Sequence, residues 1–127
     1  MEFLQSRILT HPADFDLAVH RCTSFGLRPI RCYGPLDEPY GIVYYAGGSS
    51  LEISRQPGPP PAGVTLWLQV PDIVASVNDL HTRGYEGAVG FPSLQPWGLL
   101  ECEIELFYGV SVLLVEVPHS HPLHWRP

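Results

Sequence analysis

Apolar positions along the chain fall into a helical spacing twice, and each time a strand-like alternation surrounds it. Phe15, Ala18, Val19, Cys22 and Phe25 lie on one stripe of a helix. Asp14 precedes the stripe as an N-cap and Gly26 follows it as a stop, which predicts a helix over Phe15 to Phe25. The pattern returns 58 positions later with no gap, Asp72-Ile73 matching Asp14-Phe15 and Gly84-Tyr85 matching Gly26-Leu27. Between these ends Ala18 aligns with Ser76, Val19 with Val77 and Cys22 with Leu80. Ile73, Val77 and Leu80 predict a second helix from Ile73 to His81. A single repeat at this long a period means two copies of one supersecondary unit, not a solenoid of short ones.

Short apolar or alternating runs predict the strands. In the first unit these are Phe3 to Leu9, Pro29 to Tyr33, Gly41 to Ala46 and Ser50 to Ser54, with turns at Gly34-Pro35 and Gly47-Gly48. In the second they are Val64 to Val70, Gly87 to Gly90, Leu99 to Leu106 and Val110 to Val117, with Tyr108-Gly109 turning the last hairpin. The order is β-α-β-β-β twice, an α+β chain. The expected modules are residues 1–56 and 64–118, joined by a Pro/Gly-rich linker at 57–63 and followed by a tail at 119–127. The segment Gln56 to Gly63 is too rich in proline for a helix and reads as a stiff spacer in preference to a docking motif.

Composition narrows the class. With 127 residues, 45% apolar and 16% charged, the chain is expected to be one globular domain. Its net charge is -6 and it has no lysine. The seven basic residues are scattered arginines, so neither nucleic acid nor an anionic membrane is expected as a partner. Cys22, Cys32 and Cys102 have no close spacing, which argues for thiols and against a disulfide framework or a zinc motif. With no leader pattern and no apolar run long enough for a bilayer, a cytoplasmic location is expected.

The two strand-Asp-helix-Gly units, Leu51-Glu52-Ile53-Ser54-Arg55, Trp67-Leu68-Gln69-Val70-Pro71-Asp72 and Pro96-Trp97-Gly98 before the last hairpin together resemble the vicinal oxygen chelate superfamily. That superfamily includes glyoxalase I, extradiol dioxygenases, fosfomycin-resistance and bleomycin-resistance proteins. The resemblance implies two tandem βαβββ modules that form a curled mixed sheet, with helices on the convex side. It also implies where metal ligands would fall. The first lands near Arg7, or on Gln5 or Ser6 if the register shifts; the others land on Glu52, Thr65 and Leu113. One carboxylate among an arginine, a threonine and a leucine does not make a three- or four-ligand site, so neither metal nor cofactor is expected.

Strand alternation says what the hollow holds instead. Leu51 and Ile53 facing the helix leave Glu52 and Ser54 on the hollow side. Leu66, Leu68 and Val70 leave Thr65, Trp67 and Gln69 there. Leu100, Cys102, Ile104 and Leu106 leave Glu101, Glu103 and Glu105, and Val112 and Leu114 leave Ser111 and Leu113. The expected surface is one acidic, aromatic-lined cleft with Glu52, Trp67, Glu101, Glu103 and Leu113. Tyr44, Tyr45 and Trp97 are candidates for added stacking surface, and Tyr33 and Tyr40 read as loop anchors. A bland reading stands beside this one, in which the glutamates form a solvated face, Trp67 belongs to the core and Arg7 neutralises Glu52.

An indole with glutamates nearby suits a planar or cationic organic ligand. The resemblance to metal-free bleomycin- and mitomycin-resistance proteins implies sequestration of an antibiotic-like compound by a homodimer. The ligand-contacting candidates are Arg7, Glu52, Thr65, Trp67, Trp97, Glu101, Glu103 and Leu113. The alternative is a metal-independent isomerase, cyclase or lyase acting on a natural-product intermediate. Glu52, Glu101 or His11 would be its base, and Glu52 is the catalytic candidate. His119, His121 and His124 have a spacing able to bind a transition metal, but their place after the last strand, with Pro122 among them, favours a frayed or docked tail.

Overall fold

The structure is a computed structural model and describes residues 1–123. Both helices form where capping and periodicity place them. Helix α1 spans Phe15–Phe25, preceded by strand β1 at Ile8–Thr10. The Asp14 side chain accepts from the Leu17 N–H, and Gly26 closes α1 in the left-handed region at φ 106°. Strands β2 (Pro29–Tyr33), β3 (Gly41–Ala46) and β4 (Ser49–Ser54) follow, then β5 (Val64–Gln69). Asp72 caps α2, Ile73–Thr82, by accepting from the Ala75 N–H. Strands β6 (Ser93–Leu94), β7 (Leu100–Phe107) and β8 (Val110–Glu116) complete the second unit. The architecture is two βαβββ modules, each with a four-stranded mixed sheet, ordered β1-β4-β3-β2 and β5-β8-β7-β6.

Two strands differ from their sequence signal, both because pairing decides strands and apolarity alone does not. The first strand is not Phe3 to Leu9 but Ile8–Thr10, the only three residues in parallel register with β4, at Leu51 to Ile53. Phe3 and Leu4 are exposed. The segment Gly87 to Gly90 touches β7 through one bridge, Val89 to Ile104, flanked by hydrogen bonds from Gly90 N–H to Glu103 O and from Glu105 N–H to Ala88 O. Pro92 has no N–H with which to extend that ladder, and pairing resumes at Ser93–Leu94. The close approach at Gly87 requires glycine: a Cβ there would sit 2.5 Å from the Glu105 carbonyl oxygen.

The two modules share one core. Leu51, Ile53 and Tyr44 of the first sheet join Ile104, Leu106 and Val112 of the second in a single buried cluster with Ala18, Cys22, Ile73 and Val77 of the helices. Helix α1 packs on both β4 and β7, and α2 packs on β7 and β8. The helix-bearing faces of the sheets therefore turn toward each other, and the opposite face of each sheet points away from the shared core. Arg83 fastens the join. Its guanidinium donates to the Ser24 carbonyl and, at 3.1 Å, to the Phe25 carbonyl, two acceptors left open at the end of α1. Its Nε donates to Asp79 at 2.9 Å. Phe25 meets Tyr85 edge-on at 5.8 Å between centroids, and the Tyr85 hydroxyl donates to the Glu105 carbonyl at 2.5 Å.

Cys22 and Cys102 are buried thiols, as their strand and helix positions imply, while Cys32 is exposed. Burial pushes the Cys22 thiol from 9.0 up to about 12. Burial also pushes the Tyr85 hydroxyl from 10.0 up to about 12. In both cases the unfolded chain loses its proton first, so stability is complete below pH 9 and falls between about 9 and 12. Thermal unfolding followed across that range is expected to show a steady drop in Tm that is shallower in Cys22→Ala. A curve flat up to pH 11 would contradict the burial of these groups. Among the described residues no helix is long and apolar enough to cross a membrane.

Candidate functional site

The outward face of the first sheet is built around Glu52. The register places Arg31, Val43, Glu52 and Leu9 in one row across β2, β3, β4 and β1. Tyr33 pairs with Gly41, and Gly41 pairs with Ser54, in the next row on the same face. Gly41 has no side chain, so the Tyr33 ring lies over it; a Cβ at Gly41 would fall 2.3 Å from the phenolic oxygen. From there the Tyr33 hydroxyl donates to Glu52 Oε2 at 2.9 Å. Arg7 donates to the other oxygen, Oε1, at 2.8 Å and reaches Gln5 at 3.3 Å. Arg31 stands over the Tyr33 ring at 5.8 Å. Burial, then the hydrogen bond and charge of Glu52, hold the Tyr33 pKa above its ordinary value. Tyr33 is thus a partner of Glu52 and not a loop anchor. Both Glu52 oxygens are already engaged as acceptors, which leaves the side chain poorly placed to take a proton from a substrate.

The outward face of the second sheet carries different chemistry. Trp67, Leu113 and Glu103 form one row across β5, β8 and β7. Thr65, Ser111 and Glu105 form the next row, and Gln69, Val115 and Glu101 the third. The Trp67 side chain is on this face and half exposed at 49%, so it is not a core residue. Leu113 packs on a small second cluster of Leu99, Val115 and Val117 under the same face. Thr65 and Ser111 share a hydrogen bond at 3.3 Å. Trp97 is exposed at the rim and its indole N–H donates to Glu101 at 2.7 Å. Glu105 lies 3.8 Å from Arg21 of α1. Glu103 is exposed, and among the described residues no arginine or histidine pairs with it. A cavity of about 670 Å³ opens along this face toward the β7–β8 turn, lined by Thr65, Glu103, Glu105, Tyr108 and Ser111 among others.

The sequence reading puts the candidates in the hollow of one curled sheet; the structure keeps them off the helix-bearing faces but divides them between two outward faces. Arg7 and Glu52 come together on the first sheet. Thr65, Trp67, Trp97, Glu101, Glu103 and Leu113 belong to the second. The cause is the shared core, which joins the sheets through their helix sides. Tyr44 adds no stacking surface, because it is 1% exposed and faces α1, its hydroxyl 3.5 Å from Thr23. Tyr45, next in the strand, points outward and is half exposed. His11 rests its ring on Gly58 and is not among the hydrogen-bond partners of the Glu52 carboxylate. Tyr33, Gly41 and Arg31 are the residues that sequence reasoning missed; only the β2–β3 register brings them to Glu52, and no local spacing reports it. His119 and His121 sit in a docked segment, and no group of metal-binding side chains forms among the described residues. His124 and Trp125 lie outside the described residues.

Solved structures share this arrangement over almost its full length. A bleomycin resistance determinant encoded on transposon Tn5 matches at 17% identity and TM-score 0.66, covering 91% of this chain and 98% of that one. The chain has the fold of the vicinal oxygen chelate superfamily. An antibiotic binding protein from Streptomyces sp. CB03234 carries this glyoxalase-like fold at 18% identity and TM-score 0.69, covering 92% of this chain and 98% of that one. A glyoxalase-related enzyme from Clostridium phytofermentans does so at 15% identity and TM-score 0.73, covering 93% and 98%. No protein-family model and no curated protein matches the sequence. The glyoxalase-like fold hosts both binding proteins and enzymes, so the residues on the two faces carry the functional argument.

Proposed function

We propose that this protein binds a small organic molecule with a flat or cationic part, without a metal, on the outward face of its second sheet. The observation that carries this reading is the row Trp67–Leu113–Glu103. It sets a half-exposed indole, and a carboxylate with no ion-pair partner among the described residues, beside an apolar floor. An indole face stacks on heteroaromatic rings and attracts cations, and an adjacent carboxylate adds charge attraction where water is thinned. A bleomycin resistance determinant and an antibiotic binding protein that share the fold support an antibiotic-like ligand. The other face supports the metal-free part: the Arg7 guanidinium already supplies a positive charge to Glu52 at 2.8 Å, so a divalent ion there would meet a like charge.

Two copies of the chain complete the cleft in this reading. The first face presents Arg7 and Arg31 with the exposed Leu9 and Tyr45, and the second presents Glu101, Glu103 and Glu105 with Trp67. A two-fold axis would set the basic face of each copy over the acidic face of the other. Titration with bleomycin and with a mitomycin, followed by tryptophan emission, tests the ligand, and sedimentation of the same samples tests the dimer. A saturable change with at least one compound, from a metal-stripped dimeric sample, is expected. Indifference to both compounds, or binding only after zinc, nickel, manganese or iron is restored, would overturn the proposal.

A further inference from the structure

Residues 118–123, after β8, reach the rim of the acidic face through the His121 imidazole. The turn that carries Trp97 is closed by hydrogen bonds from Gln95 N–H to Leu99 O and from Gly98 N–H to Gln95 O. Gly98 has φ 89°, and a Cβ there would come 2.9 Å from the His121 ring, so the ring lies directly on this glycine. His121 Nε2 is 2.9 Å from the Trp97 carbonyl oxygen, and its Nδ1 is 3.1 Å from the Leu123 amide nitrogen. A carbonyl only accepts and an amide N–H only donates. The bonding therefore fixes the tautomer: Nε2 carries the proton and Nδ1 accepts. The His121 amide also donates to Pro118 O at 2.9 Å, which folds the segment back into a turn. On the far side of the same rim, the Trp97 indole N–H holds Glu101.

We propose that His121 is a positioning residue, a latch through which residues 118–123 fix the Trp97 turn and so set the shape of the acidic face's rim. Its effect on a bound molecule rests on the binding role proposed above; its effect on the turn does not. The Trp97 backbone is held from the tail and the Trp97 side chain from β7, so the indole has one arrangement when the latch is closed. The latch needs a neutral imidazole, because a protonated Nδ1 cannot accept from the Leu123 N–H. The titratable groups on β7, β8 and the segment are Glu101, Cys102, Glu103 and Glu105 on β7, Glu116 at the end of β8 and His119 on the segment itself. Glu116 is occupied, accepting from the Ile73 N–H at 2.9 Å.

Two substitutions separate the latch from a local tail turn. In His121→Gln the side-chain amide keeps a donor near the place of Nε2. In His121→Asn the carbonyl oxygen keeps an acceptor near the place of Nδ1. Amide exchange at Gly98 in the full chain is expected to speed up about fivefold in His121→Ala and His121→Asn, the effect of one net hydrogen bond. It is expected to return toward the wild-type rate in His121→Gln. Trp97 emission, isolated by Trp67→Phe and Trp125→Phe, is expected to shift in His121→Ala and to return toward the parent spectrum in His121→Gln. Equal Gly98 exchange in Ala, Asn, Gln and wild-type proteins, or an emission spectrum that Ala leaves unchanged, would overturn the latch. If exchange behaves as expected while bleomycin and mitomycins fail to bind, the latch stands and the binding reading falls.

Discussion

Trp67→Ala is expected to weaken binding of a planar cationic ligand by about 1–3 kcal/mol, roughly five- to 150-fold in Kd. The indole is half exposed on the outward face, beside Leu113 and in the same row as Glu103. Removing it takes away the stacking surface and leaves the carboxylate to attract a cation across water, where the attraction is weak. Folding should change little, because that side chain is not part of the buried cluster. Calorimetric titration of wild type and variant, with thermal melts of both, measures the two effects separately. A lower Tm at unchanged affinity would place Trp67 in the scaffold. Trp67→Phe should recover part of the loss, since a smaller aromatic face still stacks.

The second large effect is on stability. Arg7→Ala is expected to destabilise the fold by about 2–3 kcal/mol, below the 3–5 kcal/mol typical of a fully buried pair because this one is partly solvated. The Arg7 and Glu52 side chains are 29% and 14% exposed. Without the guanidinium, Glu52 keeps only the Tyr33 hydroxyl, and a largely desolvated carboxylate is left short of a donor. Replacing both partners with apolar residues, Arg7→Met with Glu52→Leu, should recover most of the loss because no orphaned charge remains. Urea unfolding of wild type, Arg7→Met, Glu52→Leu and the double variant forms a double-mutant cycle, with Arg7→Ala measured beside it. A cost under about 0.5 kcal/mol for Arg7→Ala would mean an ordinary surface pair. The same cycle bears on the metal question, since stabilisation of Arg7→Ala by added zinc would reveal a latent ion site at Glu52.

The contrast between these two residues shows which parts of the site could be read in advance. Trp67 needed only strand alternation: Leu66 and Leu68 are apolar neighbours, so residue 67 faces the other way. Glu52 followed from the same rule between Leu51 and Ile53. Arg7 was legible as a partner for Glu52 because the family resemblance put both at ligand positions facing one hollow. Tyr33 was not, because its reach to Glu52 depends on Gly41 standing opposite it in the β2–β3 register. Tyr44 and Tyr45 are adjacent tyrosines with opposite fates, one under α1 and one outside, since neighbouring strand residues take opposite faces.

By itself the sequence determined the two helices with their aspartate caps and glycine ends, the duplicated strand order, and the placement of Glu52, Trp67, Glu101, Glu103 and Leu113 on the strand faces opposite the helices. These are local properties: a cap, a period of 3.6 and an alternation of two are written into adjacent residues. Only the tertiary structure decided how far β1 runs and that residues 87–90 make a single bridge, because a strand exists where a partner's backbone accepts it. It also decided that Glu52 and Trp67 lie on different faces. The apolar sides of both sheets are large and must be hidden together, and they are hidden against each other through α1 and α2. That choice leaves the basic and acidic faces turned outward, which periodicity along one chain has no means of expressing.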